Sequence, residues 1–360
     1  MVDFRTLITV DESALAHNYN LIRESAHGAK VMAVVKADAY GHGAARVARR
    51  LFGAGADFFA VATVGEAVEL REAGIKGDIL ILGYTPLTRE SAEALVFHNI
   101  TQTVFSREYA DGLSSVLREP VKVHIKVDTG MARLGFAYTD KRGSETINEI
   151  AAVYSCRNLI TEGIFTHIAT ADADDLVYAK RQGELFAELI AKLAERGIVF
   201  GIKHASNSAA VFTLPELALD YVRAGIALYG YGGADLRPVM KVESVIAQIH
   251  EVKRGEAVGY SRTFTAERDM KVAIVPFGYA DGLPRSLSNR GRFMVNGHEA
   301  RIVGNICMDM TMIDVSGIVC RENDKAVILG DGVTADEIAS IAGTISYEVL
   351  CGMGSASLRS

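Results

Sequence analysis

Between residues 31 and 224 the chain repeats one rhythm, a short apolar run followed by a longer stretch whose apolar residues recur at helical spacing. The runs are Val31–Val35, Phe58–Ala62, Asp78–Leu82, Thr101–Phe105, Val121–Val127, Leu159–Thr166, Ile202–Ala205 and Tyr221–Ala224. Helical stretches such as Ala44–Phe52, Gly65–Ala73 and Val177–Arg196 stand between them, and an amphipathic segment, Asp11–Ile22, precedes the series. Runs such as Val31–Val35 and Phe58–Ala62, apolar throughout rather than at alternate positions, suit strands buried on both faces, as in a parallel sheet covered by helices. Repeated eight times, the unit predicts a closed (β/α)8 barrel.

From about Pro238 the rhythm changes to strand-like runs punctuated by Gly, Asn and Asp: Met240–Ile249, Lys271–Val275, Arg301–Val303, Met310–Val315 and Lys325–Leu329. The expected organisation is a barrel over residues 11–232 and a mostly β domain over 233–360. The opening strand, within residues 1–10, belongs structurally with the second part.

Charge and cysteine usage exclude several classes of function. With 38 basic against 44 acidic residues the net charge is -6, and no dense block of Lys or Arg could track phosphates along a nucleic acid. No stretch approaches the roughly 18 unbroken apolar residues of a membrane span. The start, Met1-Val-Asp-Phe-Arg-Thr6, lacks the basic and apolar regions of a secretory signal, so a cytoplasmic location is expected. Cys156, Cys307, Cys320 and Cys351 are far apart and show no metal-ligand spacing, so neither disulfides nor a metal is expected.

In a barrel of this type the reactive groups gather where the strands end, so the residues that follow each run carry the argument. They are Lys36, Arg133, His167, Asn207, Ser208 and Arg223. Any one of these is explained by a strand emerging into water. A Lys, a His and two Arg on one rim are harder to explain that way. Lys36 closes a buried run, where desolvation lowers an amine's pKa and frees it to attack an aldehyde. Tyr40 and Gly41-His-Gly43 beside it offer a phenol and a close backbone approach. Ser208 and the Arg223-Ala-Gly-Ile226 segment offer a hydroxyl and amide groups to an anion, or equally an ordinary turn.

The stretch Val34-Val-Lys-Ala-Asp-Ala-Tyr-Gly-His-Gly43 resembles the cofactor-lysine motif of bacterial alanine racemases, which are pyridoxal-phosphate enzymes. Further blocks resemble that family in its own order: Lys126-Val-Asp-Thr-Gly-Met-Ala-Arg-Leu-Gly135, Thr166-His-Ile-Ala-Thr-Ala-Asp172, Asn207-Ser-Ala-Ala210, Val222-Arg-Ala-Gly-Ile-Ala-Leu-Tyr-Gly230, Gly278-Tyr-Ala-Asp-Gly282 and Gly304-Asn-Ile-Cys-Met-Asp309. The resemblance implies a homodimer with shared active sites that racemises alanine by a two-base mechanism and supplies D-alanine for peptidoglycan. It makes Lys36 the cofactor-carrying base and Tyr260, in Val258-Gly-Tyr-Ser261, the opposed base contributed by the other subunit. His167 and Arg223 would support them, Arg223 at the pyridine nitrogen.

By the same resemblance, the cofactor is held by Lys36, Tyr40, His167, Asn207, Ser208, Arg223, Gly225 and Ile226. The substrate carboxylate falls to Arg133 and the backbone of Met308, with Asp309 nearby and Tyr279 lining the entrance. Lys126 matches a position that is carbamylated in many family members, and a simple salt bridge is the alternative. One departure stands out. Where the family has a tyrosine near its C-terminus, this chain has Ser355. That change would widen the pocket and makes a serine or broad-specificity racemase the leading alternative. A decarboxylase of the same architecture would need a different second half, and a non-catalytic cofactor-binding protein would be a lone barrel.

Overall fold

The computed structural model describes residues 5–143, 145–354 and 356, which group into two compact units. One consists of Ser13–Ala39 and Ala44–Arg237, the other of Met1–Glu12, Tyr40–Gly43 and Pro238–Ser360.

The first unit is a nearly closed barrel of parallel strands. Lys30–Val34, Phe58–Val61, Asp78–Ile81, Thr101–Val104, Val121–Asp128, Leu159–Phe165 and Ile202–His204 lie side by side in chain order, and Tyr221–Ala224 pairs back onto Lys30–Val34. Between Ile202–His204 and Tyr221–Ala224 the ring is joined by single bonds, from Asp220 N–H to the Lys203 carbonyl (3.0 Å) and from Arg223 N–H to the Ser206 carbonyl (2.9 Å). Each strand ends within about one residue of its expected position, most plainly where unbroken apolar content marks it: all four residues of Phe58–Val61 are buried. The helices present apolar stripes to the sheet, as Ala44–Gly53 does with Ala44, Val47, Ala48 and Leu51. Fully burying an aliphatic or aromatic side chain of this size contributes about 1.5–3 kcal/mol. Helix starts are fixed by side chains, most completely at Thr63 and Glu66, which form a reciprocal capping box.

In the second unit a five-stranded antiparallel sheet has the order Thr6–Val10, Met240–Val245, Lys325–Leu329, Arg292–Val295, His298–Arg301. A three-stranded sheet joins Gln248–Val252, Met270–Val275 and Thr311–Asp314, and Ala257–Val258 pairs with Phe264–Thr265. The expected single run Met240–Ile249 is two strands in different sheets, because Ile246 N–H turns to the Asp324 carbonyl (2.8 Å) and Ala247 N–H to that of Ile274 (2.8 Å). The expected run Arg301–Val303 begins earlier, as His298–Arg301. Two helices, Ala335–Ala342 and Ser346–Gly354, interrupt the β pattern. Thr334 starts the first by accepting from Glu337 N–H (3.1 Å). Among the described residues no helix is long and apolar enough to cross a membrane.

Candidate active site

Lys36 follows the buried strand Lys30–Val34 and opens the short helical turn Lys36–Gly41. This turn is left-handed: Ala37, Asp38, Ala39 and Tyr40 have φ of 53, 51, 54 and 55°, and Gly41 follows at 82°. For residues with a Cβ that conformation costs about 1–2 kcal/mol each, so its surroundings must enforce it. Ala37 N–H donates to Glu66 Oε1 (2.7 Å) and Asp38 Oδ1 accepts from Ala44 N–H (2.6 Å). Glu66 Oε2 also receives Ala62 N–H (2.7 Å), so one carboxylate ties the lysine's turn to the loop after the next strand.

Lys126 is 6% exposed, 4.6 Å above the Phe165 ring, and burial and then the charges of Arg223 and Arg133 hold its amine well below the usual lysine range. Among the described residues no carboxylate forms an ion pair with it. Past this strand Asp128 Oδ1 collects the N–H groups of Gly130, Met131 and Ala132 (2.9, 2.8 and 3.1 Å), a folded loop that presents Arg133 at the surface. Lys126, Asp128, Met131, Arg133 and His167 line one recess.

Arg223 is 4% exposed and densely bonded. Its Nη1 donates to His204 Nδ1 (2.9 Å), and its Nη2 reaches the carbonyls of Thr166 (2.8 Å) and Ala205 (2.9 Å) and His167 Nδ1 (3.2 Å). Burial and Arg133 bring its pKa down to about 9, which leaves it protonated at neutral pH. His167 is pushed down to about 2 by burial and then by Arg223, Lys126, Arg133 and Lys36, so it is neutral. Because guanidinium only donates, His167 Nδ1 must accept and its proton sits on Nε2.

Asn207 caps the helix Ser208–Thr213, its Oδ1 accepting from Ala210 N–H (3.0 Å) and its Nδ2 donating to the Ile168 carbonyl (3.0 Å). Both ends of its amide are thus engaged within the protein. Ser208 Oγ accepts from Gly225 N–H (2.9 Å) and Ala227 N–H (3.3 Å), which locks the start of its helix beside the start of Ile226–Tyr229. A hydroxyl with its own proton still to donate, next to two helix N-termini, is a donor set suited to a phosphate.

In the second unit Tyr260 begins a tight turn in which Gly259, Ser261 and Arg262 have φ of 72, 59 and 51°. Asn305 Nδ2 donates to the Tyr260 carbonyl (2.9 Å), while Tyr279 N–H and Ala280 N–H donate to the carbonyls of Cys307 (3.1 Å) and Met308 (3.0 Å). The segment Gly304–Asp309 therefore assembles Tyr260, Tyr279 and Met308 on one scaffold, with 69%, 42% and 53% of each exposed, and Asp309 half-buried beside them. Tyr40 is buried in this unit with its ring 5.9 Å from that of Tyr347, and its phenol is pushed up by burial and then by Tyr347 and Cys351. Ser355 lies outside the described residues.

Sequence reasoning missed His124, Glu162 and His204. Both histidines are fully buried within barrel strands, where an imidazole needs a partner, and His204 stacks on Phe165 with ring centroids 4.6 Å apart. That need was the available signal. Glu66 and Asp38, which hold the left-handed turn, carried none.

Comparison with known proteins places this arrangement. The family model described as alanine racemase, N-terminal domain, matches residues 10–232, and that described as alanine racemase, C-terminal domain, matches 239–360. Alanine racemase 2 of Caldanaerobacter subterraneus subsp. tengcongensis is 43% identical over 364 residues, covering 97% of this chain and 92% of the relative. The solved alanine racemase of Clostridium difficile 630 superposes with a TM-score of 0.91 at 38% identity, over 98% of this chain and 94% of that one. That of Bacillus anthracis with bound L-Ala-P gives 0.90 at 31% identity, over 98% and 94%.

Proposed function

Since the chain belongs to the alanine racemase family of pyridoxal-phosphate-dependent isomerases, we propose that it interconverts L- and D-alanine with Lys36 and Tyr260 as opposed bases. The observation that carries this reading is the barrel rim, where Lys36, a donor-only Arg223 and the Ser208 hydroxyl beside two helix starts supply an amine, a cation and anion donors. These residues fit pyridoxal phosphate: Lys36 would carry it, the Ser208 hydroxyl and the Ile226 amide would hold its phosphate, with Gly225 N–H fixing the Ser208 oxygen, and Arg223 would face its ring nitrogen. Bound there, the cofactor supplies an electron-poor ring that acidifies the substrate Cα–H.

Racemisation removes a proton from one face of Cα and returns one to the other, which requires two bases on opposite sides. The Lys36 amine takes the proton of the D-isomer and the Tyr260 oxygen that of the L-isomer. A free phenol has a pKa near 10, so Tyr260 needs help to act as a base. His167 supplies it: with its proton on Nε2, imposed from Nδ1 by Arg223, it can donate to the phenolate and stabilise it. Arg223 keeps its charge at neutral pH, so it would donate to the ring nitrogen without protonating it. With such a partner the bound cofactor would be a weaker electron sink than with a carboxylate partner, which would favour racemisation over transamination.

Arg133 and the Met308 backbone hold the substrate carboxylate, Arg133 with its two-pronged fork. Lys126, a depressed amine crowded by two guanidinium groups and without an ion-pair partner among the described residues, supports carbamylation, which would convert a buried cation into an anion for Arg133. The exposure of Tyr260, Tyr279 and Met308 supports a homodimer in which these residues complete the other subunit's site. The product role, D-alanine for peptidoglycan made in the cytoplasm, follows from the family.

The test is deuterium exchange at Cα with chiral analysis, using purified protein, added cofactor and separate L-alanine, L-serine and L-lysine. Exchange with inversion, alanine dominant, is expected. Dominant serine would instead assign the Ser355 departure to specificity, and bound cofactor without exchange on any substrate would overturn the racemase reading.

A further inference from the structure

Beneath the rim, the barrel interior carries a line of polar groups that the racemase mechanism does not use. Arg223 Nη1 meets His204 Nδ1 at 2.9 Å, His204 Nε2 meets His124 Nδ1 at 2.8 Å, and His124 Nε2 faces Glu162 Oε2 at 3.6 Å. These last two atoms are buried and have no hydrogen-bond partner at normal distance among the described residues, so each is the nearest polar complement of the other. Glu162 Oε1 is paired with Lys122 Nζ at 2.8 Å, and that ammonium also lies 3.6 Å from Asp78.

The positions of the protons follow from one end. Guanidinium has donors only, so His204 Nδ1 must accept and its proton lies on Nε2. That proton points at His124 Nδ1, so His124 too carries its proton on Nε2, directed at Glu162. Burial, the largest influence on both, holds each histidine below the ordinary imidazole range and therefore neutral. Protonating either ring would set N–H against N–H within the line. At the far end only an acceptor suits, and the ionised Glu162 is one: contact with His124 is the largest influence bringing its carboxyl down to about 2, Lys122 adds to this, and burial opposes it.

The backbone is shaped for this line. The pairing of Val121–Asp128 with Leu159–Phe165 shifts register between Val123 and His124: Val123 is opposite Thr161 and His124 opposite Gly163, leaving Glu162 as the extra, bulged residue. Gly163 makes room for the ring, since a Cβ there would stand 2.7 Å from His124 Nε2. Phe58 meets His124 edge-on at 5.8 Å, and Phe165 stacks on His204 while lying 5.2 Å from the Arg223 guanidinium carbon. Aromatic walls of this kind exclude water and leave each ring its in-line partners.

We propose that Glu162 is a positioning residue for Arg223: it is the terminal acceptor that suits the proton direction set at the guanidinium, and acting through His124 and His204 it holds that guanidinium as a donor in one orientation. The consequence for catalysis rests on the reading of Arg223 as the partner of the cofactor ring; the relay itself does not. Glu162→Ala removes the terminal acceptor and leaves a buried N–H facing nothing, whereas Glu162→Gln keeps an acceptor and loses only the charge.

The experiment labels histidine with 15N and reads the ring nitrogens of His124 and His204 in the protein without cofactor, assigning them by single substitution. Both should show protonated Nε2 and bare Nδ1. In Glu162→Ala the line is oriented from the guanidinium end alone, so the two tautomers should mix as the Arg223 bond to His204 loosens, and in Glu162→Gln they should return to the native pattern. With cofactor, the alanine variant should lose about tenfold in kcat, shift the absorbance maximum of the bound cofactor and leave KM near its native value; the glutamine variant should recover within about twofold. Unchanged nitrogen shifts in Glu162→Ala, even with a lowered melting temperature, would overturn the relay. Altered shifts with native kcat and absorbance would leave the relay standing and overturn its reach to the cofactor. Should the alanine variant fail to fold, the glutamine variant decides alone: its histidines must keep the native tautomers.

Discussion

Lys36 leaves a strand in which four of five residues are buried, and its own side chain is half-buried, whereas Tyr260 is 69% exposed on its unit. Yet the two residues are set on the chain in the same way. Each is followed by consecutive left-handed residues, Ala37 to Tyr40 after the lysine and Ser261 to Arg262 after the tyrosine. Strain of this kind persists only where the surroundings over-determine it. For the lysine turn those surroundings are carboxylates, Glu66 and Asp38 on backbone N–H groups. For the tyrosine turn the fixed contact is Asn305 on the Tyr260 carbonyl. The difference teaches that the first proposed base is surrounded within its own unit by groups already tuned, since burial and then neighbouring cations hold the Lys126 amine and the His167 imidazole down. The other proposed base is fixed only in position.

The widest test of that contrast is to delete each base in turn. Lys36→Ala should abolish the long-wavelength absorbance of lysine-bound cofactor and reduce racemisation in both directions by about 10⁴-fold or more, since it loses both nucleophile and base. Tyr260→Phe should keep the absorbance and lose about 10²–10⁴-fold. It should still exchange the Cα proton of D-alanine with solvent deuterium, without inversion, because Lys36 serves that face. Inversion by the phenylalanine variant at the native rate would dissolve the distinction between the two residues.

Much of the lysine side was legible in the sequence, for a physical reason. A reactive residue that ends an unbroken apolar run announces itself, so Lys36, His167 and Arg223 stood out, and the structure brings His167 and Arg223 into contact. The left-handed turn did not, because Ala-Asp-Ala-Tyr reads as ordinary helix and only the sign of φ shows otherwise. His124 and His204 were hidden for the opposite reason: within Val121–Val127 and Ile202–Ala205 they pass as part of a strand until their partners, far away in sequence, are known. On the tyrosine side periodicity failed at Ile246, where a run that continues in sequence changes sheets in space. The helix after Thr334 was readable from Thr334 and Glu337, a capping pair three residues apart, but was absorbed into the surrounding β rhythm.

Glycines separate the two turns by a smaller measure. A Cβ at Gly41 would lie 2.6 Å from the Leu350 carbonyl oxygen and 2.8 Å from Gly354 Cα, both backbone, at a φ of 82°. At Gly259, φ 72°, it would meet the movable tip of Met312 at 2.7 Å. Gly41→Ala should therefore cost about 3 kcal/mol or more in urea unfolding, with Gly259→Ala nearer 1–2 kcal/mol. Equal losses would mean that the close approach at Gly41 relaxes freely and that the two turns are equally confined.

The smallest effect is a slope with pH, and it bears on the barrel alone. His124, His167 and His204 are each held below the ordinary imidazole value, burial being the first cause in every case. In the unfolded chain they take up protons near pH 6.5. As pH falls below that value the unfolded state binds protons that the folded state refuses, so stability present above about 6.5 is progressively lost on acidification. Each histidine should steepen the fall by up to about 1.4 kcal/mol per pH unit between pH 6.5 and 5, above the window in which Glu162, brought down to about 2, begins to contribute. Urea unfolding at pH 7, 6 and 5 measures it, and His167→Asn should remove one histidine's share of the slope. A flat profile would mean that the folded barrel accepts these protons, and a protonated His167 could not take the hydrogen bond from Arg223 that fixes its proton on Nε2.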